Sequence, residues 1–354
     1  MCIRDSIYGG KGVGSQGDGS AQFIVKDEAS QNAVIKIVEN ELGMSGLKLT
    51  IHPIQKVRKA VIPAAGFSTR LFPASKAIKK ELFPIIDRSG RVKPALLLIV
   101  EEALSAGIEE IAVIVQSSDI DLLQEIFQKP PRIENFNKLS KDDQKYWQSI
   151  EEIGSRIRFI AQDTQDGFGH AVYCAKDWVG NEPFLLMLGD HLYATENRLS
   201  CARQLIDIYS KTSRSVVGLE ETPETEIHKF GCVAGIWLDN SDILSITQFA
   251  EKPDLNYARE NLVIDNVKKD HYLTIFGQYI LTPKIFDLLE NNISHNLREN
   301  GEFQLTSCLD LLRQEEGFSG FIVKGERFDI GTPDGYRTTI IEYPDAFFDS
   351  GFNE

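Results

Sequence analysis

An α/β fold with a doubly wound, mostly parallel, Rossmann-like mixed sheet is predicted for residues 57–346, on three observations. First, short and nearly unbroken apolar runs recur: KAVIP at 59–63, IAVIVQ at 111–116, IRFIA at 157–161 and FLLML at 184–188. Runs this short, without polar alternation, mark strands buried on both faces, as in parallel sheets. Second, helical stretches separate them, the first ending at Gly107. Such alternation gives βαβ units with helices on both sheet faces. Third, 354 residues with 42% apolar content suffice for one large α/β domain beside a smaller unit, with a core that needs no staples. In a sheet of this kind the ligand site lies beyond the C-terminal ends of the strands.

Residues 1–56 read differently. Residues 9–20, GGKGVGSQGDGS, are a glycine-rich loop, followed by a strand at 22–26 and a helix at 28–42. Val34, Ile35, Val38 and Leu42 lie on one face of that helix, and Gly43 stands at its C-cap. A second strand is expected at 47–51. This β-α-β piece is too small to hold a core of its own. Its glycine loop and following strand resemble the last motif of the small-molecule kinases of the galactokinase–mevalonate kinase class. That resemblance implies the tail of an upstream sugar kinase domain. A flexible linker followed by an isolated α/β element reads the same way, and no activity is assigned here.

The remaining elements follow in order. The stretch 128–152 holds two prolines and many charges, which fits a surface helix pair or insertion. Residues 231–237, 246–250 and 274–281 read as strands, and 283–289 as a helix. Residues 304–313 are amphipathic, with Leu305, Leu309 and Leu312 on one face. A final strand at 321–324 precedes a C-terminal tail at 347–354.

Composition narrows the function. A net charge of −14 argues against a broad nucleic-acid surface, so an anionic ligand must be held locally by amides, a few cations or a metal. The five cysteines include no CxxC pair, which points to neither a zinc site nor a disulfide framework. Reduced thiols, no membrane-spanning apolar run and no apolar leader fit a cytoplasmic protein with no membrane partner.

Five segments carry chemistry. Ala64, Ala65 and Gly66, directly after the first strand, are small enough for the backbone to approach a phosphate, and successive N–H groups in such a turn form an anion-binding concavity. Arg70 and Lys80 add cations suited to phosphate oxygens. An ordinary βα turn would look alike. In QDTQDGFGHA (162–171), the Gln162 amide can both donate and accept, although a surface glutamine at a strand end reads similarly. His170 reads as structural or capping. In LGDH (188–191), Asp190 stands at the sheet edge, placed to serve Mg²⁺ together with phosphate oxygens and water, or to cap a turn. Glu251 and Lys252, in EKP, offer a carboxylate for hydroxyls and an ammonium for phosphate, or simply an exposed turn. Asp329, in FDIG, follows the last strand and is equally placed to cap the helix beginning near Pro333.

Read whole, residues 59–84 (KAVIPAAGFSTRLFPASKAIKKELFP) resemble the sugar-phosphate nucleotidyltransferases, nearest to bacterial members that transfer uridylyl groups to glucose 1-phosphate. The family signature is a G-x-G-T-R loop, a P-x-[ST]-K step and K-E-x-x-P. This chain gives Gly66-Phe67-Ser68-Thr69-Arg70, Pro73-Ala74-Ser75-Lys76 and Lys80-Glu81-Leu82-Phe83-Pro84. Ser68 replaces a usual glycine, and Lys79 a usual proline; serine is accommodated there if its φ is negative. Gly189 stands where uridylyl members often have proline, and 266–271 is a small insertion. The segments around Gly231, Gly277 and 302–306 also match.

The resemblance implies the nucleotide-diphospho-sugar transferase fold and UTP plus a sugar 1-phosphate as substrates. It implies Mg²⁺ held by Asp190 and Asp329, and catalysis by Arg70, Lys80, Asp190 and Lys252. Ala64, Ala65, Gly66, Gln162 and Gly167 would bind the nucleotide; Gly231, Glu251, Lys252 and Gly277 the sugar phosphate. Gln304 and Thr306 would be structural. Thymidylyl or cytidylyl transfer, and a non-catalytic sugar-nucleotide-binding subunit, are the alternatives. The sequence leaves open whether the chain forms a homo-oligomer and whether a sugar kinase domain is fused upstream.

Overall fold

The computed structural model describes residues 7–13, 20–25, 27–45, 55–239, 241–299 and 301–343. The chain divides into two compact units, Met1–Ile54 and Gln55–Glu354.

In the first unit, β1 (Ile7–Val13) pairs antiparallel with β2 (Ser20–Val25), and a helix spans Glu28–Leu42. Asp27 caps that helix by accepting from the Ser30 N–H, and Gly43 ends it at φ 64°. Residues 9–13 are therefore a strand rather than the expected loop. Glycines join a ladder because main-chain pairing needs no side chain. The strand expected at 47–51 lies outside the described residues, as does the tail at 347–354.

The second unit contains β3 (Lys59–Pro63), β4 (Pro84–Ile86), β5 (Val92–Pro94), β6 (Glu110–Val115), β7 (Ile157–Ala161), β8 (Phe184–Met187) and β9 (His191–Ala194). It continues with β10 (Ser215–Pro223), β11 (Gly231–Trp237), β12 (Ile243–Glu251), β13 (His271–Leu281), β14 (Phe318–Ile322) and β15 (Glu326–Asp329). Nine strands form one mixed sheet in the order β10-β14-β12-β11-β13-β8-β3-β6-β7. The β8-β3-β6-β7 half is parallel. Beyond it, β13 runs antiparallel to β8 and pairs with both β10 and β11, so the second half curls back on itself.

Alternation along each strand sorts side chains into two cores. Ala60, Ile62, Ile111, Val113, Leu185 and Met187 face one, beneath helices Ala95–Ser105 and Cys201–Thr212. Val61, Ala112, Ile114, Phe184 and Leu186 face the other, beneath helices Phe168–Tyr173, Lys284–Ser294 and Thr306–Glu316. This two-sided burial is why these strands read as unbroken apolar runs. The charged stretch 128–152 contributes helix Ile133–Phe136 and most of helix Lys141–Ser155. Among the described residues, the four cysteines are free thiols, and no helix is long and apolar enough to cross a membrane.

Two short strands outside the main sheet position the site. β9 and β15 pair antiparallel with His191 opposite Asp329, bringing together residues far apart in sequence.

Candidate active site

A cleft of about 650 Å³ opens at the C-terminal ends of the parallel strands. Of the site residues expected from sequence, Ala64, Ala65, Gly66, Arg70, Lys80, Gln162, Gly167, Asp190, Gly231, Glu251, Lys252 and Asp329 all line it. Gly277 does not. It is buried behind the wall at φ 95°, where a Cβ would lie 2.6 Å from His191 Nδ1 and 3.1 Å from Tyr193 Oη. Close packing against His191 accounts for the glycine there.

The loop after β3 is fastened from behind. Ala65 O accepts from Gln116 Nε2 and Gln165 Nε2, each at 2.8 Å. The Ala64 N–H already donates to Ile114 O at 2.7 Å, so the amides left to face an anion begin at Ala65. Ser68 corrects the expectation from sequence: its φ is 59° and ψ 52°, left-handed rather than negative. The chain reverses there to launch the short turn Thr69–Leu71, with Leu71 N–H bonded to Ser68 O, which explains why glycine is the family norm. The Ser68 hydroxyl is shielded and makes no hydrogen bond. Arg70, on that turn, is exposed at the cleft rim.

At the centre, Lys80 Nζ donates to Asp190 Oδ2 at 2.7 Å and lies 3.9 Å from Glu81 Oε1. Burial works to raise the Asp190 carboxyl, but the Lys80 ammonium, His191 and Arg70 together outweigh it and hold the group at about 2. Burial likewise works to lower Lys80, and the facing carboxylates Asp190 and Glu81 more than compensate, so it stays charged. Burial also depresses His191 against the pull of Asp190 and Asp329, favouring the neutral imidazole.

Donor atoms of Asp190, His191 and Asp329 all lie within 4.8 Å of one another. A Cβ placed on Gly331 would come within 2.9 Å of both Asp190 Oδ2 and Asp329 Oδ1, so a side chain there would intrude between the two carboxylates. Two ionisable carboxylates beside such a gap suit a hard divalent cation that keeps further positions for phosphate and water. Asp329 does not cap the following helix. Thr332 does, accepting from the Gly335 N–H, while Asp329 Oδ1 accepts from the Gly331 N–H at 2.6 Å.

Further along, Gln162 is buried, its amide nitrogen 3.3 Å from Gly167 O and 2.9 Å from His170 Nδ1. His170 thus holds the glutamine, which agrees with a structural histidine. Also lining the cleft, Glu251 accepts from Lys252 Nζ at 2.8 Å and from Thr306 Oγ1 at 3.0 Å. Lys252 is exposed and left-handed, at φ 44°.

Three cleft residues escaped the sequence reading. His191 adjoins Asp190 in a motif already singled out, and only the β9–β15 register shows that it faces Asp329. Glu81, within K-E-x-x-P, is 3% exposed. Arg327 pairs with Glu220 at 3.0 Å, donates to Ile275 O at 2.6 Å and packs on the Phe230 ring, all contacts far apart in sequence.

Residues 59–345 match the family model described as nucleotidyl transferase. A UTP–glucose-1-phosphate uridylyltransferase from Staphylococcus epidermidis is 35% identical over 292 residues, covering 82% of this chain and 93% of the relative. An apo UDP-glucose pyrophosphorylase structure superposes with a TM-score of 0.69 at 30% identity, covering 82% of this chain and 98% of that one. A UDP-glucose pyrophosphorylase complexed with UDP-glucose gives 0.66 at 28% identity, covering 82% and 99%. The chain belongs to the nucleotidyl transferase family, and it carries the nucleotide-diphospho-sugar transferase fold.

Proposed function

We propose that this family member transfers a uridylyl group from UTP to glucose 1-phosphate, giving UDP-glucose and pyrophosphate. The observation that carries the reading is one cleft lined both by Asp190, Asp329 and Lys80 and by the Glu251–Lys252 pair. The chemical problem is to bring two polyanions together so that a phosphate oxygen attacks the α-phosphorus in line. Positioning and charge neutralisation suffice for this, because the nucleophile is already ionised at neutral pH.

Each residue then has a task. The amides from Ala65 onward, with Arg70 and Lys80, hold the outer phosphates of the triphosphate. Gln162, kept in place by His170, meets the uracil edge, with Gly167 beside it. Lys252 pairs with the sugar phosphate, and Glu251 accepts from sugar hydroxyls beside Gly231. Asp190 and Asp329 hold Mg²⁺, which when bound neutralises charge developing on the phosphates. No serine or histidine nucleophile is required. The domain reading accompanies this: 1–56 as a separate unit resembling the tail of a sugar kinase, 57–346 as the catalytic domain and 347–354 as a tail. A cytoplasmic setting fits the free thiols.

The test is pyrophosphate release by the full chain with Mg²⁺, each of four nucleoside triphosphates and a panel of sugar 1-phosphates. The expected result is strong preference for UTP with glucose 1-phosphate. Preference for the thymidine or cytidine nucleotide would overturn the nucleotide assignment. Nucleotide binding without pyrophosphate from any pairing would overturn catalysis altogether.

A further inference from the structure

Glu81 is an anomaly in the cleft. Its side chain is 3% exposed, and neither carboxylate oxygen accepts a hydrogen bond. Buried acids without partners are rare in folded proteins, because desolvating a carboxylate is costly unless a charge or donor compensates. Burial pushes this one up to about 7, only partly opposed by the Lys80 ammonium. Among the described residues, the one cation within 4 Å of it is that ammonium, 3.9 Å away, which at present sits 2.7 Å from Asp190, with Lys79 acting from farther off. Lys80 in turn has only 15% of its side chain exposed, so water offers it little refuge.

These contacts bear on how Asp190 accepts a metal. A divalent cation arriving on Asp190 meets an ammonium on the same carboxylate. Two cations there repel, and the ammonium must find another anion nearby. We propose that Glu81 is a second seat for the Lys80 ammonium: Lys80 rests on Asp190 while that carboxylate carries no metal, and shifts toward Glu81 when a divalent cation takes Asp190. The shift required is about 1 Å, the difference between the present separation and an ordinary charge-assisted contact. Glu81 is thereby a positioning residue, acting on the metal site through Lys80. The inference rests on the reading of Asp190 as a metal ligand.

The experiment is a Mn²⁺ titration of the full chain, with free ion followed by electron paramagnetic resonance. Wild type, Glu81→Gln, Lys80→Met, the double variant and an Asp190→Asn control are compared, each checked for folding by thermal melting. Glu81→Gln is expected to weaken Mn²⁺ binding about 10- to 100-fold, the usual effect of losing a partner behind a metal ligand. Lys80→Met is expected to tighten binding, because the competing cation is gone. With Lys80 absent, the further change Glu81→Gln should have almost no effect. Equal weakening in both backgrounds would mean that Glu81 acts only through its distant charge, and would overturn the proposal. So would a melting temperature that shifts while Mn²⁺ affinity does not. If wild type releases pyrophosphate yet Glu81→Gln leaves Mn²⁺ affinity unchanged, this inference alone fails. If wild type has no Asp190-dependent Mn²⁺ site, the parent metal assignment fails with it.

Discussion

Replacing Gly277 by alanine separates two roles for that glycine. Its φ of 95° lies where side-chain-bearing residues are strained, at about 1–3 kcal/mol. The new Cβ would sit 2.6 Å from His191 Nδ1, and within 3.1 Å of Leu188 Cδ1 and Tyr193 Oη. Two of the three neighbours are fixed: His191 and Tyr193 are buried, and the Tyr193 hydroxyl donates to Gly277 O at 2.9 Å. Relief must therefore come from shifts in packed core, costing a further ~1–3 kcal/mol. Together these give a loss of about 2–6 kcal/mol, which urea unfolding can measure from the midpoint at constant slope. Because His191 is paired in register with Asp329, the displacement should also lower kcat. A variant within about 1 kcal/mol of wild type, but with a raised KM for sugar phosphate alone, would refute the packing account and restore a sugar-contacting role.

Four further outcomes are expected. Asp190→Asn should keep the fold and lower turnover about 10²- to 10³-fold, as loss of one charge-stabilising group does; near-normal pyrophosphate release would reject its metal role. Lys252→Ala should raise KM for the sugar phosphate about tenfold or more while sparing that for UTP, and an equal effect on both would reject its assignment. Ser68→Gly should stabilise the chain by about 1 kcal/mol, since relief of a left-handed serine outweighs the added freedom of the unfolded glycine; a lower melting temperature would contradict the positive φ. Glu81 has a folded value near 7 against an ordinary 4.5, so its favourable contribution is complete below the ordinary value and is lost as pH climbs through 7. The loss is at most about 3 kcal/mol, and Glu81→Gln should flatten the fall in unfolding free energy between pH 5 and pH 8; an unchanged slope would dismiss Glu81 as its source.

Some of this was legible in the sequence and some was not, for physical reasons. Strands buried on both faces must be apolar throughout, so β3, β6 and β8 announced themselves within a residue of their ends, and the edge strand β7 did so despite its exposed Arg158. β9 and β15 did not, because four residues establish no period, and one carries His191 while the other carries Glu326, Arg327 and Asp329. Yet these two strands place Asp190 and Asp329 side by side. Motif order implied that proximity through resemblance, and local pattern had no access to it. Ser68 was misjudged because residue type alone does not fix the sign of φ.

Gly189 shows the same limit from the other side. A Cβ there would lie 2.4 Å from Pro63 O, so proline has no room at this position in this chain. What looked like a departure bearing on the choice of nucleotide is thus accounted for by how closely β3 approaches the turn before Asp190. Under the proposed function the base lies elsewhere in the cleft, beside Gln162, so Gly189 carries no weight in the choice of uridine. Motif residues in this fold divide accordingly. Asp190, Lys80 and Lys252 present charge to the cleft, whereas Gly189 and Gly277 are set by the backbone and side chains packed behind it. Substitution of the exposed Lys252 should alter kinetics with little change in stability, substitution within the largely buried Lys80–Asp190 pair should alter kinetics and cost stability as well, and substitutions at the two glycines should alter kinetics only by way of the fold.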